Sequence, residues 1–108
     1  MTKNKILDIS FFLDHCDPKD IRSLDIEGAP NSIKQLSVVD ASMNNIFNGH
    51  FKNESDISGQ KRITIAKAVR NAKILIGFNI PSDLMALHKC NFKLGEQTIV
   101  IDLYRTFL

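Results

Sequence analysis

Tryptophan is absent and tyrosine occurs once, so seven phenylalanines carry the aromatic character of the 108-residue chain. That is thin for a surface that stacks successive bases of a single strand. Cysteine occurs only as Cys16 and Cys90. The start, Met-Thr-Lys-Asn-Lys, soon meets Asp8 and Asp14 with no small-residue cleavage site after it, so no export signal is read and a cytoplasmic protein is expected. In that setting the two cysteines read as free buried thiols. A zinc centre needs about four ligands at motif spacing, whereas His88-Lys89-Cys90 offers two and His15 adjoins Cys16. No apolar run exceeds Ile-Leu-Ile-Gly-Phe at 74–78, far short of the roughly 20 residues of a membrane helix. The five glycines are isolated and build no phosphate-cradling loop. Scattered Ser, His and Asp residues suggest no nucleophilic triad.

Acid is also missing where base is plentiful. Between Ile57 and Ser82 there is no Asp or Glu, yet Lys61, Arg62, Lys67, Arg70 and Lys73 all fall there. The strip reads either as the solvated face of a helix or as a surface that meets phosphate. Net charge is only +2, too little to announce a nucleic-acid binder by itself. Hydrophobic residues make up 44% and charged residues 24%, which is the balance of one globular domain with a modest core.

Periodicity and turn chemistry give an order of elements, α-β-β-β-α-β-α-β. Ile9, Phe12, Leu13 and Cys16 fit a helix over 5–16 that Pro18 stops, although Leu7, Ile9, Phe11 and Leu13 also fit the alternation of a strand. Strands are expected at 21–27, 32–39 and 46–51, separated by the turn clusters Gly28-Ala29-Pro30-Asn31 and 40–45, so the first three should form an antiparallel meander. A helix over 60–71 carries Ile65, Ala66, Val69 and Ala72 as its apolar stripe. A strand at 73–78 is apolar throughout, as one buried on both faces would be. Pro81 opens a further helix with Leu84, Leu87 and His88 facing inward to about Cys90. A fifth strand covers 98–102, and a helix opens at Leu103. The helical crossover makes the last two strands parallel. The fold class is α/β, a mixed five-stranded sheet with flanking helices.

Three places carry candidate chemistry. Asp25 and Glu27 lie two apart on a central strand, so both carboxylates share a face roughly 7 Å apart. Either the strand end is solvated, or a divalent cation such as Mg²⁺ compensates the pair. Asp83 sits in the first turn of a helix that follows a buried strand. It either serves the helix dipole or adds a third carboxylate at the sheet edge where α/β sites gather. Asn79 either holds the preceding turn or touches a ligand. Asp102 reads as a helix cap in preference to a metal ligand.

Taken in order, Leu24-Asp25-Ile26-Glu27, Gly77-Phe78-Asn79-Ile80-Pro81-Ser82-Asp83-Leu84 and Val100-Ile101-Asp102-Leu103 resemble the DnaQ-like (DEDD) 3′–5′ exonucleases of the ribonuclease H-like fold. The resemblance covers about residues 21–108. It divides the chain into an N-terminal helical extension, 1–20, and a partial exonuclease-like domain, 21–108. It implies a two-metal site holding Mg or Mn, with Asp25 bridging both ions, Glu27 on the water-activating one and Asp83 on the other. Asn79 and Gly28 would touch the nucleic acid. The implied function is metal-dependent 3′–5′ exonucleolytic hydrolysis of DNA or RNA ends; the alternative is a non-catalytic ribonuclease H-like module that binds nucleic acid or a protein partner. Phe78 stands where the family commonly has His, Ser82 where an aromatic is common, and Gly28-Ala29-Pro30 where Thr-Thr-Gly is frequent. The family's third motif, a His or Tyr base with a final Asp, is not found before Leu108, so impaired or incomplete activity and a C-terminally truncated sheet are expected. The helix over 5–16, a second copy of the chain or a partner subunit would then cover the open sheet face.

Overall fold

The computed structural model describes residues 14–29 and 32–106. Of the helix expected over 5–16, residues 5–13 lie outside the described part, while Asp14 and His15 are helical. The covering role expected for Phe11 and Phe12 falls outside it too. Pro18 does stop the helix. It opens a 3-10 turn, Pro18–Asp20, whose first turn is capped by the Asp17 carboxylate accepting the Lys19 N–H at 3.0 Å.

Five strands form one mixed sheet. β1 (Ile21–Ala29), β2 (Ser32–Asp40) and β3 (Asn45–His50) make the antiparallel meander. The β2–β3 turn is built by Asp40, whose Oδ1 accepts the N–H groups of Ser42 and Asn44 at 2.8 and 3.0 Å. These bonds, the Asn44 N–H foremost, hold the buried Asp40 carboxyl below the usual carboxylate range. After helix α1 (Gly59–Arg70) the chain returns as β4 (Ile74–Gly77), which pairs in parallel with β1. Helix α2 (Ile80–Lys89) leads to β5 (Ile99–Asp102), parallel to β4, and a short helix α3 (Leu103–Thr106) follows. The strand order is β3-β2-β1-β4-β5, so β1 is central as expected.

The core lies between the sheet and the two longer helices. Leu24, Ile33, Leu36, Val38 and Leu75 from the sheet meet Ile65, Ala68 and Val69 of α1 and Ile80, Ala86 and Leu87 of α2. Three expectations need correction. The buried strand is shorter than 73–78: Lys73 and Phe78 are exposed, and only Ile74–Gly77 is strand. On α1, Ala68 is buried where Ala66 is only half-buried. On α2, His88 is exposed, and the inward stripe runs through Ile80, Asp83, Ala86 and Leu87 instead.

Arg22 joins the sheet to α1. Its guanidinium donates to the Ala68 carbonyl at 2.6 Å and the Lys67 carbonyl at 3.4 Å, and its Nε donates to the Lys19 carbonyl at 3.1 Å. The first two carbonyls lie in the last turn of α1, where the dipole favours a cation; the Lys67 carbonyl also accepts the Asn71 N–H at 3.0 Å. Arg22→Met should therefore lower stability by about 1.5–3 kcal/mol, the usual worth of hydrogen bonds from a charged donor. Urea unfolding measures it, and an unchanged midpoint would remove Arg22 from the account.

Both cysteines are free; Cys90 is buried and Cys16 half-buried. Burial, together with a 3.1 Å hydrogen bond from the thiol to Glu54, pushes Cys90 up to about 11. In the native protein at pH 8, Cys90 should resist a maleimide reagent and react only on unfolding. Mass spectrometry of the labelled peptides gives the result, and prompt native labelling at Cys90 would contradict the burial.

Candidate functional site

The site forms where β1, β4 and β5 end together and α2 begins. β4 stops at Gly77, and the chain turns through Asn79 in the left-handed region (φ 59°, ψ 47°), a conformation that Asn tolerates better than most residues. Pro81 then supplies a preset φ for the first turn of α2. This turn aims Asp83 back at the sheet. Parallel pairing of β1 with β4 ends at Ser23 opposite Ile76. Three residues beyond, the Ile26 backbone N–H lies close enough to Asp83 to favour its ionised form.

Asp83 is only 7% exposed. Burial is the largest influence on it, followed by the negative charges of Asp25 and Asp102; together they push its carboxyl up to about 7, against the opposing pull of the Ile26 N–H. Carboxylates on three elements thus act on one another at one end of the sheet. Asp25 is exposed on β1, and Asp102 closes β5 in register with Gly77.

Asp102 does cap α3, as expected, with Oδ1 accepting the Tyr104 N–H at 3.2 Å. The same oxygen accepts the Asn79 N–H at 2.8 Å. It thereby ties the β4–α2 turn to the end of β5, and its charge reaches Asp83 as well. Neither of these two further roles is readable from the residue's place before Leu103.

The other candidates fall out as follows. Glu27 is exposed on the same face of β1 as Asp25, one pleat further on, and its charge is not among those acting on Asp83. Asn79 is exposed, and its side chain makes no capping bond, so the backbone rather than the side chain holds the turn. Gly28 has φ 112°, and a Cβ there would stand 2.4 Å from the Ser32 carbonyl oxygen. It shapes the β1–β2 hairpin at a register shift between Glu27 and Gly28.

The structure adds one feature that composition hid. Phe78 and Tyr104, 67% and 45% exposed, meet edge to face with ring centroids 5.2 Å apart. They directly flank Asn79 on one side and lie two residues from Asp102 on the other. Their separation along the chain hides the pair from any local reading.

Among the described residues, no three His, Cys, Asp or Glu side chains stand gathered for a metal ion. The donor chemistry nevertheless suits a divalent cation, since every group is a carboxylate oxygen and Asp83 feels the negative charges of Asp25 and Asp102. No protein-family model matches the chain, and no curated protein matches it.

Proposed function

We propose that the acid end of the sheet is a divalent-cation site for phosphodiester hydrolysis at nucleic-acid ends, of the DnaQ-like 3′–5′ exonuclease type. The observation that carries this reading is Asp83, a buried carboxylate whose ionisation is opposed by Asp25 and Asp102. A protein gains nothing in stability from such crowding. A cation of charge two removes the conflict. Three antiparallel strands followed by two parallel crossover strands also make the sheet that a ribonuclease H-like assignment implies.

On this reading Asp25, Glu27 and Asp83 hold Mg²⁺ or Mn²⁺. The bound metal supplies charge stabilisation on the attacking and leaving oxygens. The remaining work belongs to the chain. Asp102 fixes the turn that presents Asn79, and the Phe78–Tyr104 pair offers a ring edge and face to a terminal base. No proton-transfer base is assigned among the described residues, and a missing base typically costs about 10²–10⁴-fold in rate. Slow hydrolysis is therefore the expected level.

Mn²⁺ titration by calorimetry tests the site. Binding should be present in the native chain and lost in Asp25→Asn, a substitution at an exposed position that leaves the core untouched. End-labelled single strands then report chemistry. Shortening that needs both the metal and Asp25 supports the exonuclease. Metal binding without shortening assigns the domain to a non-catalytic module. No binding at all removes the metal site.

A further inference from the structure

We infer that a second, basic cleft at the opposite end of α2 binds phosphate groups. The cleft is a cavity of about 220 Å³ between α1 and the residues that follow α2. It is lined by Arg62, Ala66 and Arg70 of α1 and by Asn91, Phe92 and Lys93. Arg62, Ala66 and Arg70 are spaced four apart, so they share one helix face. Three cations and no carboxylate line it. Drug-sized ligands take pockets of about 300–1,000 Å³, so the volume suits a small anion or one segment of a longer polyanion.

Two of its walls are held in place before any ligand arrives. Arg62 donates to the Cys90 carbonyl at 2.5 Å and lies 4.5 Å over the Phe92 ring. That anchor uses one of five guanidinium N–H donors and leaves others for a ligand. The second wall is the end of α2. Asn91 is left-handed (φ 64°), the Asn91 N–H reaches the His88 carbonyl at 3.0 Å and the Phe92 N–H reaches the Leu87 carbonyl at 2.9 Å. These two bonds form a Schellman closure, which sets the backbone that carries Asn91 and Lys93. Glu54, whose Oε1 accepts the Cys90 thiol, does not line the cleft.

The acid-free strip of the sequence is thus divided by the fold. Lys73 pairs with Asp20 at 3.5 Å and Lys61 lies 5.9 Å over Phe51, whereas Arg62 and Arg70 converge on the cleft with Lys93. The ten residues of α2 separate the cleft from the Asp83 end by about 15 Å. The two sites have opposite charge and are independent. The cleft stands whether or not the carboxylates hold metal.

The test is run on the full chain in EDTA, which silences any metal site. One probe is a short fluorescein-labelled oligothymidylate followed by anisotropy. The other is inorganic phosphate followed by thermal shift at matched ionic strength. Arg70→Gln with Lys93→Gln removes two exposed cations of the cleft. Lys61→Gln with Lys67→Gln removes the same charge from the same helix outside it. The cleft variant should bind the strand about tenfold more weakly, with a salt slope shallower by about 1.4, roughly 0.7 per lost cation on a single strand. The control should keep most of the affinity. Protection by inorganic phosphate that the cleft variant alone loses identifies a single phosphate group as sufficient. Strand binding without such protection identifies the backbone of a strand as the source. Equal weakening in both variants, or no binding of either probe to the native chain, overturns the cleft.

Discussion

At pH 8 without metal, Asp83→Asn should be more stable than the native chain. The reason is the crowding of Asp83 by burial and by Asp25 and Asp102, which pushes its carboxyl up to about 7 from an ordinary value near 3.8. Between these two values the folded chain holds a proton that the unfolded chain has released. Stability therefore falls as pH rises through that window and is level above it. Each pH unit in the window is worth up to about 1.4 kcal/mol, and the whole of it at most about 4 kcal/mol. The asparagine is neutral at every pH and close to the same size. The variant should match the native chain near pH 4, outlast it increasingly towards pH 7 and hold a constant lead above. Taking the difference between the two proteins cancels other titrations, such as that of Asp40, whose lowered carboxyl adds stability that is lost as pH falls through the acid range. Mn²⁺ should reverse the order at pH 8, because the cation needs the carboxylate that the variant lacks. Urea unfolding across pH, with and without Mn²⁺, is decisive. A variant less stable than the native chain at pH 8 in EDTA would show that the carboxylate belongs where it is for structural reasons.

The sequence made the sheet legible because its turns carry their own chemistry. Gly28 supplies a positive φ, Asp40 builds its turn from its own carboxylate, and Pro81 starts α2. These are local effects, and local reading finds them. The site is harder to read because its links run across the chain. Asn79 meets Asp102, Arg62 meets Cys90, and Phe78 meets Tyr104, each pair more than twenty residues apart. The error on α2 has a different cause. A stripe chosen by apolarity puts Leu84, Leu87 and His88 inside and leaves Asp83 out. The fold buries Asp83 and exposes His88, so the stripe is shifted by the one residue whose burial is electrostatically unfavourable. The proposed cation site rests on that exception to patterning, since a costly buried charge persists where something compensates it. Glu27 illustrates the converse: its spacing from Asp25 puts both on one exposed face of β1, ahead of the register shift at Gly28.

Gly28→Ala should lower stability by about 2–4 kcal/mol, whereas Gly59→Ala should lower it by about 1 kcal/mol. Both glycines have positive φ, 112° and 58°, so both substitutions strain the backbone. The difference lies in space. A Cβ at Gly59 meets nothing within 4 Å. At Gly28 it meets the Ser32 carbonyl oxygen at 2.4 Å and the Lys34 N at 2.9 Å, which are backbone atoms of the facing strand and cannot swing aside. Relief requires the strands to separate where Glu27 opposes Gln35 and Gly28 opposes Ile33. Ile33 is fully buried, so its strand is fixed by the core and β1 must give way. Glu27 moves with it. Gly28→Ala should accordingly weaken Mn²⁺ binding under conditions where the variant is still folded, and Gly59→Ala should leave it intact. Thermal unfolding and calorimetry on both variants measure the two effects together. Equal destabilisation would mean that backbone strain alone matters at Gly28. A folded Gly28→Ala variant that binds Mn²⁺ like the native chain would place Glu27 outside the metal site and leave Asp25 and Asp83 to carry it.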